Sequence, residues 1–123
     1  MIDFALSEEQ KALQEMAHEF AAKEMRPNAA KYDKGDEWPE DVMQKAFEAG
    51  FISCEIPEEY GGIGLKHLDT AIISEELAWG CAGMFTTIMA SSLAFTPIIL
   101  YGSDEQKKKF LMKKEKLQKN QKL

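Results

Sequence analysis

The chain has 123 residues, which fits one domain burying roughly two thirds of its unfolded surface. Hydrophobic residues make up 45% and charged residues 29%, a balance that excludes disorder as the default state. The net charge of -6 averages two unlike regions: residues 1–106 carry 20 acids against 7 bases, whereas residues 107–123 carry eight lysines and only Glu115 as an acid.

In chain order, Ser7-Glu8-Glu9-Gln10 reads as a capping box that opens a helix. Leu13, Met16, Ala17, Phe20 and Ala21 follow at the spacing of one buried helical face. Pro27 removes an amide and crowds the preceding turn, so it is expected to kink or end this helix. Pro39 suits a first helical position; Val42, Met43, Ala46 and Phe47 give a second apolar face, and Gly50 is placed to end it. "FISCEI" at residues 51 to 56 alternates weakly, the pattern of a short extended piece. The glycine stretch "IPEEYGGIGL" follows. A third helix is expected through "HLDTAIISEELAWG", and a fourth from about Met84 to Tyr101 with "GCAG" as the break between them. Gly102 is a natural stop, and Ser103-Asp104-Glu105-Gln106 repeats the capping box to open a fifth helix into the lysines.

Several stretches invite sharper readings. A dinucleotide fingerprint needs G-x-G-x-x-G between strand and helix, but after Gly62 and Gly64 the third position is His67, and no Walker lysine is present. A turn needing positive φ is the better local account. No charge occurs between Glu76 and Asp104, long enough for a membrane span, and the following lysines would suit its flank. Gly80, Gly83, Pro97 and the interspersed threonines and serines dilute that signal, leaving a central helix of a globular fold as the alternative. Glu75 and Glu76 point about 100° apart on a helix and face no common site. His18 and His67 have no partner visible in the sequence and read as surface histidines. Cys54 and Cys81 form no CxxC, which argues against zinc or a redox dithiol and leaves two small buried hydrophobes. The lysine-rich end holds one aromatic, Phe110, and no interleaved Arg or Gly; a solvated helix end is preferred to a nucleic-acid or anionic-lipid binder.

Taken in order, "FALSEEQKALQEMAHEFAAKEMRPNAAKYDK", "WPEDVMQKAFEAGF", "IPEEYGGIGL", "ISEELAWGCAG" and "YGSDEQKKKFL" resemble the N-terminal helical domain of the acyl-CoA dehydrogenase family, nearest to its short- and medium-chain members. The resemblance covers residues 2 to 112 and implies an all-α fold of about five helices over 1–112, with 113–123 a departing lysine-rich tail. It makes the glycine stretch a connector between helices and places the uncharged helix inside a fold, so no membrane is implied. The implied activity is α,β-dehydrogenation of acyl-CoA thioesters. A glutamate base takes an α-hydrogen, FAD takes hydride from the β-carbon, and electrons pass to an electron-transferring flavoprotein.

In such an enzyme the matching helix supplies one wall of the acyl pocket. By resemblance Leu93 lines that pocket, Met89 stands where medium-chain members have a glutamate at its floor, and Ala90 follows it. Methionine makes the floor apolar and adaptable. The small residues Ala90, Ser91, Ser92 and Ala94 also admit a close neighbour, either another helix or an acyl chain. Beyond the fifth helix the family continues into a β-domain, whereas this sequence reads "MKKEKLQKNQKL". The expectation is therefore a truncated or fragmentary dehydrogenase with no catalytic, cofactor-binding or metal-binding residue of its own, inactive alone and not retaining FAD. The family forms homotetramers, and this chain is expected to self-associate. No nucleic acid is implied. Without a visible targeting segment, the expected location is the cytoplasm in a bacterium or the mitochondrial matrix in a eukaryote. The alternative from another class is a non-enzymatic helical interaction module with a basic tail.

Overall fold

A computed structural model describes residues 4–35 and 37–111; the tail expected at 113–123 lies outside the described residues. The described residues are helical, with no strand among them. Helix α1 (Glu8–Phe20) runs through a π-helical turn (Ala21–Met25) into α2 (Arg26–Lys34), so the three form one rod. Helices α3 (Glu40–Glu48), α4 (His67–Gly80), α5 (Ala82–Tyr101) and α6 (Asp104–Leu111) complete five helical rods, in agreement with the all-α reading.

Local chemistry explains most of the boundaries. At α1 the Gln10 amide donates to Ser7 Oγ and the Ser7 amide donates to Gln10 Oε1, both at 3.1 Å. The Ser103 box opens α6 in the same way, at 3.3 and 2.9 Å. Pro39 sits one position outside α3, where its carbonyl accepts the Met43 amide at 3.0 Å. Pro27 does not end its helix. The turn before it widens instead, the Arg26 amide reaching back to the Ala21 carbonyl, and this shifted register absorbs the missing amide of the proline.

Helices α1 and α4 lie side by side and parallel. Gln10 donates to Asp69 at 2.9 Å, Gln14 donates to Glu76 at 3.0 Å, and His18 Nδ1 meets Glu76 at 2.7 Å, pairs separated by a nearly constant 59, 62 and 58 residues. His18 is thus not a lone surface histidine. It pairs with a mostly buried Glu76 carboxylate and stacks on Trp79 with ring centroids 4.4 Å apart, while Arg26 covers Trp79 at 4.3 Å. At the far end of the seam α4 touches the π turn, where a Cβ on Gly80 would sit 2.8 Å from the Ala21 Cβ. Beneath lies the core: Ala17, Ala21, Met25, Val42, Ala46, Phe51, Ile73, Leu77, Met84 and Ile88.

The segment 51–65 also departs from expectation. "FISCEI" is not extended: Phe51–Ser53 is a 3₁₀ turn opened by Gly50 at φ 85, and Phe51, Ser53, Cys54 and Ile56 are all buried. Four buried residues in six do not alternate, and no neighbouring strand is available to pair with them among the described residues. The glycine stretch then folds back on this turn. Gly64 donates to Ile56 O at 2.9 Å and Leu65 donates to Cys54 O at 2.8 Å. Gly61 and Gly64 take φ of 84 and 70, as the turn reading requires. Gly62 serves a different need, because a Cβ there would lie 1.9 Å from the Ile56 carbonyl oxygen.

These two reasons for glycine separate experimentally. Gly62→Ala should destabilise the chain by about 3 kcal/mol, the upper end of overpacking penalties. Gly61→Ala, whose Cβ would meet nothing within 4 Å, should cost about 1–2 kcal/mol from left-handed backbone strain alone. Urea unfolding midpoints measure both, and equal losses would contradict this account of the loop.

Candidate functional site

Helix α5 carries no ionisable acid or base along its 20 residues apart from the Tyr101 phenol, so its surroundings are set by shape and apolar contact. Its threonine hydroxyls are spent internally. Thr86 donates to the Ala82 carbonyl at 2.9 Å, Thr87 to Gly83 at 3.1 Å and Thr96 to Ser92 at 2.8 Å, which leaves their methyl groups to define the surface. By length and composition α5 could cross a membrane, and only Met84 and Ile88 are buried on it.

The circumference of α5 divides into three faces. Met84 and Ile88 face the core. Ser91, Ala94, Phe95 and Ile98 face the 51–65 segment and α6. With Phe47, Ile52, Ser53, Ile56, Gly61, Phe110 and Leu111 they enclose an apolar groove of about 430 Å³. The third face is open, with Leu93 80% and Leu100 63% exposed.

The residues singled out from the sequence fall on two of these regions. Ala90 and Leu93 share the open face, while Met89 is half-buried and packs against the core cluster. None of the three lines the 430 Å³ groove. Of the four small residues expected to admit a close neighbour, Ser91 and Ala94 line it. Phe95 and Ile98 were not singled out, although the spacing 91, 94, 95, 98 marks a single helical face.

No Lys, Arg, His or carboxylate lines the groove. Near its rim, partial burial and the neighbouring carboxylates of Glu59 and Asp104 push the Tyr60 phenol above its ordinary range, so it stays neutral. Cys54 lies behind the groove floor, and burial pushes its thiol up. Cys81, the extended residue joining α4 to α5, is only half-buried, so just one of the two cysteines is the buried hydrophobe expected. Among the described residues no group of His, Cys, Asp and Glu could hold a metal ion. The groove can hold and orient an apolar group, and no ionisable acid or base lines it.

The family model described as "Acyl-CoA dehydrogenase, N-terminal domain" matches residues 7–114. The chain belongs to the acyl-CoA dehydrogenase family. Its relatives include the probable medium-chain specific acyl-CoA dehydrogenase 2, mitochondrial, of Caenorhabditis briggsae, 42% identical over 89% of this chain and 27% of the relative. Isobutyryl-CoA dehydrogenase, mitochondrial, of Dictyostelium discoideum is 42% identical over 86% of this chain and 26% of that protein. Among solved structures, butyryl-CoA dehydrogenase from Megasphaera elsdenii superposes with a TM-score of 0.79 at 30% identity, over 90% of this chain and 30% of that one. A chain from the structure described as the electron transferring flavoprotein of Acidaminococcus fermentans gives a TM-score of 0.83 at 41% identity, again over 90% and 30%. The sequence thus spans about a quarter of the curated relatives' length. Acyl-CoA dehydrogenases are oxidoreductases, and the part of one seen here is its helical N-terminal domain.

The two cysteines give a check on this arrangement. In native buffer a thiol reagent should label Cys81 at least about tenfold faster than Cys54, since reactivity follows thiolate fraction and access. The difference should vanish in denaturant. Equal native rates would show that the 51–65 segment does not seal Cys54 as described.

Proposed function

We propose that this domain forms one wall of the acyl pocket in a FAD-dependent acyl-CoA dehydrogenase that oxidises acyl-CoA thioesters between the α- and β-carbons. The observation that carries the proposal is the open, uncharged face of α5 bearing Ala90 and Leu93, bordered by Met89, in a chain 42% identical to a medium-chain specific relative. An acyl tail presents only methylene groups, and a wall of methyl and thioether groups fits it without leaving a polar atom unpaired. Met89 has the adaptable side chain to form the floor.

The residues on this face do not fit a flavin dinucleotide by themselves. A pyrophosphate is held by cationic side chains or by free backbone amides of a helix N-terminus, and neither the length of α5 nor the groove supplies a Lys or Arg. Hydride acceptance is the chemistry FAD supplies in the family, and this chain's part is confined to binding and orienting the tail and excluding water. Electron transfer onward to an electron-transferring flavoprotein belongs to the same proposal, supported by the Acidaminococcus likeness. A mitochondrial location in a eukaryote is supported by the mitochondrial relatives.

Two outcomes follow for activity. The purified 123-residue chain should neither retain FAD nor reduce a dye with butyryl- or octanoyl-CoA. Substrate-dependent dye reduction above a no-enzyme control would contradict this. Residues 7–111 grafted in place of the matching region of the Megasphaera enzyme should restore dye reduction. In that graft Met89→Glu should change the ratio of kcat/KM between short and medium acyl chains by at least about tenfold, the scale of a single methylene in an apolar pocket. An active graft with an unchanged profile would show that Met89 only packs against the core.

A further inference from the structure

The face of α5 that borders the 430 Å³ groove carries none of Met89, Ala90 and Leu93. Three phenyl rings line the groove from three helices: Phe47 of α3, Phe95 of α5 and Phe110 of α6. Two serines line it as well. Ser91 lies on α5 and, unlike Thr86, Thr87 and Thr96, does not bond back to the preceding turn. Ser53 belongs to the 3₁₀ turn of the 51–65 segment and is only 9% exposed. Its amide donates to the Gly50 carbonyl and its carbonyl accepts the Ile56 amide, both at 3.2 Å, but its Oγ pairs with no group among the described residues. No fully enclosed side-chain oxygen among the described residues lacks a partner. The Ser53 hydroxyl therefore reaches open space, and the open space that Ser53 lines is the groove.

We propose that the groove is a binding site for a neutral aromatic molecule of two fused rings carrying one hydroxyl. An apolar cavity of about 150 Å³ takes a single benzene ring, so 430 Å³ has room for two. The phenyl rings can meet a flat ligand by edge or by face. A rigid ring also loses less conformational freedom on binding than a flexible alkyl alcohol does.

Charge and the buried hydroxyl narrow the class. A carboxylate or an ammonium would be buried without a counter-charge, because no ionisable acid or base lines the groove. A ligand with no polar atom would strip water from the Ser53 hydroxyl and return nothing, whereas a ring hydroxyl can donate to Oγ or accept from it. This inference does not rest on the acyl-wall reading, and it leaves Met89, Ala90 and Leu93 free for an acyl tail.

Equilibrium dialysis of the full chain against β-naphthol, naphthalene and β-naphthoate at neutral pH tests it. One equivalent of β-naphthol should bind saturably, and β-naphthoate at least about tenfold more weakly. Ser53→Ala should weaken β-naphthol about tenfold without weakening naphthalene, since only the first loses a partner. The far-UV helical spectrum should not change, because Ser53 Oγ holds no structural bond. Ala94→Trp, at an exposed position on the groove, should fill the space and abolish binding of both neutral rings. A wild-type chain that binds no β-naphthol would overturn the proposal. So would β-naphthoate binding as tightly as β-naphthol, an Ala94→Trp variant that still binds, or a Ser53→Ala variant that treats β-naphthol and naphthalene alike.

Discussion

A helix that carries no formal charge for 20 residues has to be covered on most of its circumference, and here only the Met84–Ile88 edge of α5 is buried. Burying two such side chains contributes about 3–6 kcal/mol, a large share of the 5–15 kcal/mol typical of whole domains. The rest of the structure serves to hold that edge. Gly80 lets the end of α4 rest directly on Ala21 and Met25, and the extended Cys81 turns the chain so that α5 starts beside them. The parallel seam of α1 and α4, tied by Gln10–Asp69 and by Gln14 and His18 on Glu76, fixes the height at which α5 begins.

The glycine stretch does for the second face of α5 what the seam does for the first. By folding back on Cys54 and Ile56 it turns the 51–65 segment into the floor of the groove, with α6 as its side. The domain therefore offers apolar shape and almost no polar chemistry. No ionisable acid or base lines the groove, so what it can recognise is chiefly apolar shape.

What was legible in the sequence was local. Ser7 with Gln10 and Ser103 with Gln106 are each three residues apart, and both boxes form. The bounds of α4 at His67 and Gly80 were likewise readable, because the glycine stretch precedes it and "GCAG" marks the break after it. Pro27 was ambiguous: its missing amide can be met by ending a helix or by widening one turn, and only the burial of Ala21 and Met25 against Gly80 selects the second. The His18–Glu76 pair was invisible because its members lie 58 residues apart. At the site, the spacing 91, 94, 95, 98 marks a face but carries no information on what opposes it. Met89, Ala90 and Leu93 came from family resemblance rather than from periodicity.

If the open face of α5 is a binding wall for an acyl tail, a crystal structure of residues 7–111 grafted into the Megasphaera butyryl-CoA dehydrogenase with a medium-chain acyl-CoA bound should show it. Acyl carbons should lie within van der Waals distance, about 4 Å, of both Met89 and Leu93. An acyl chain lying instead in the groove beside Phe95 and Ile98, with Leu93 touching only protein, would contradict it.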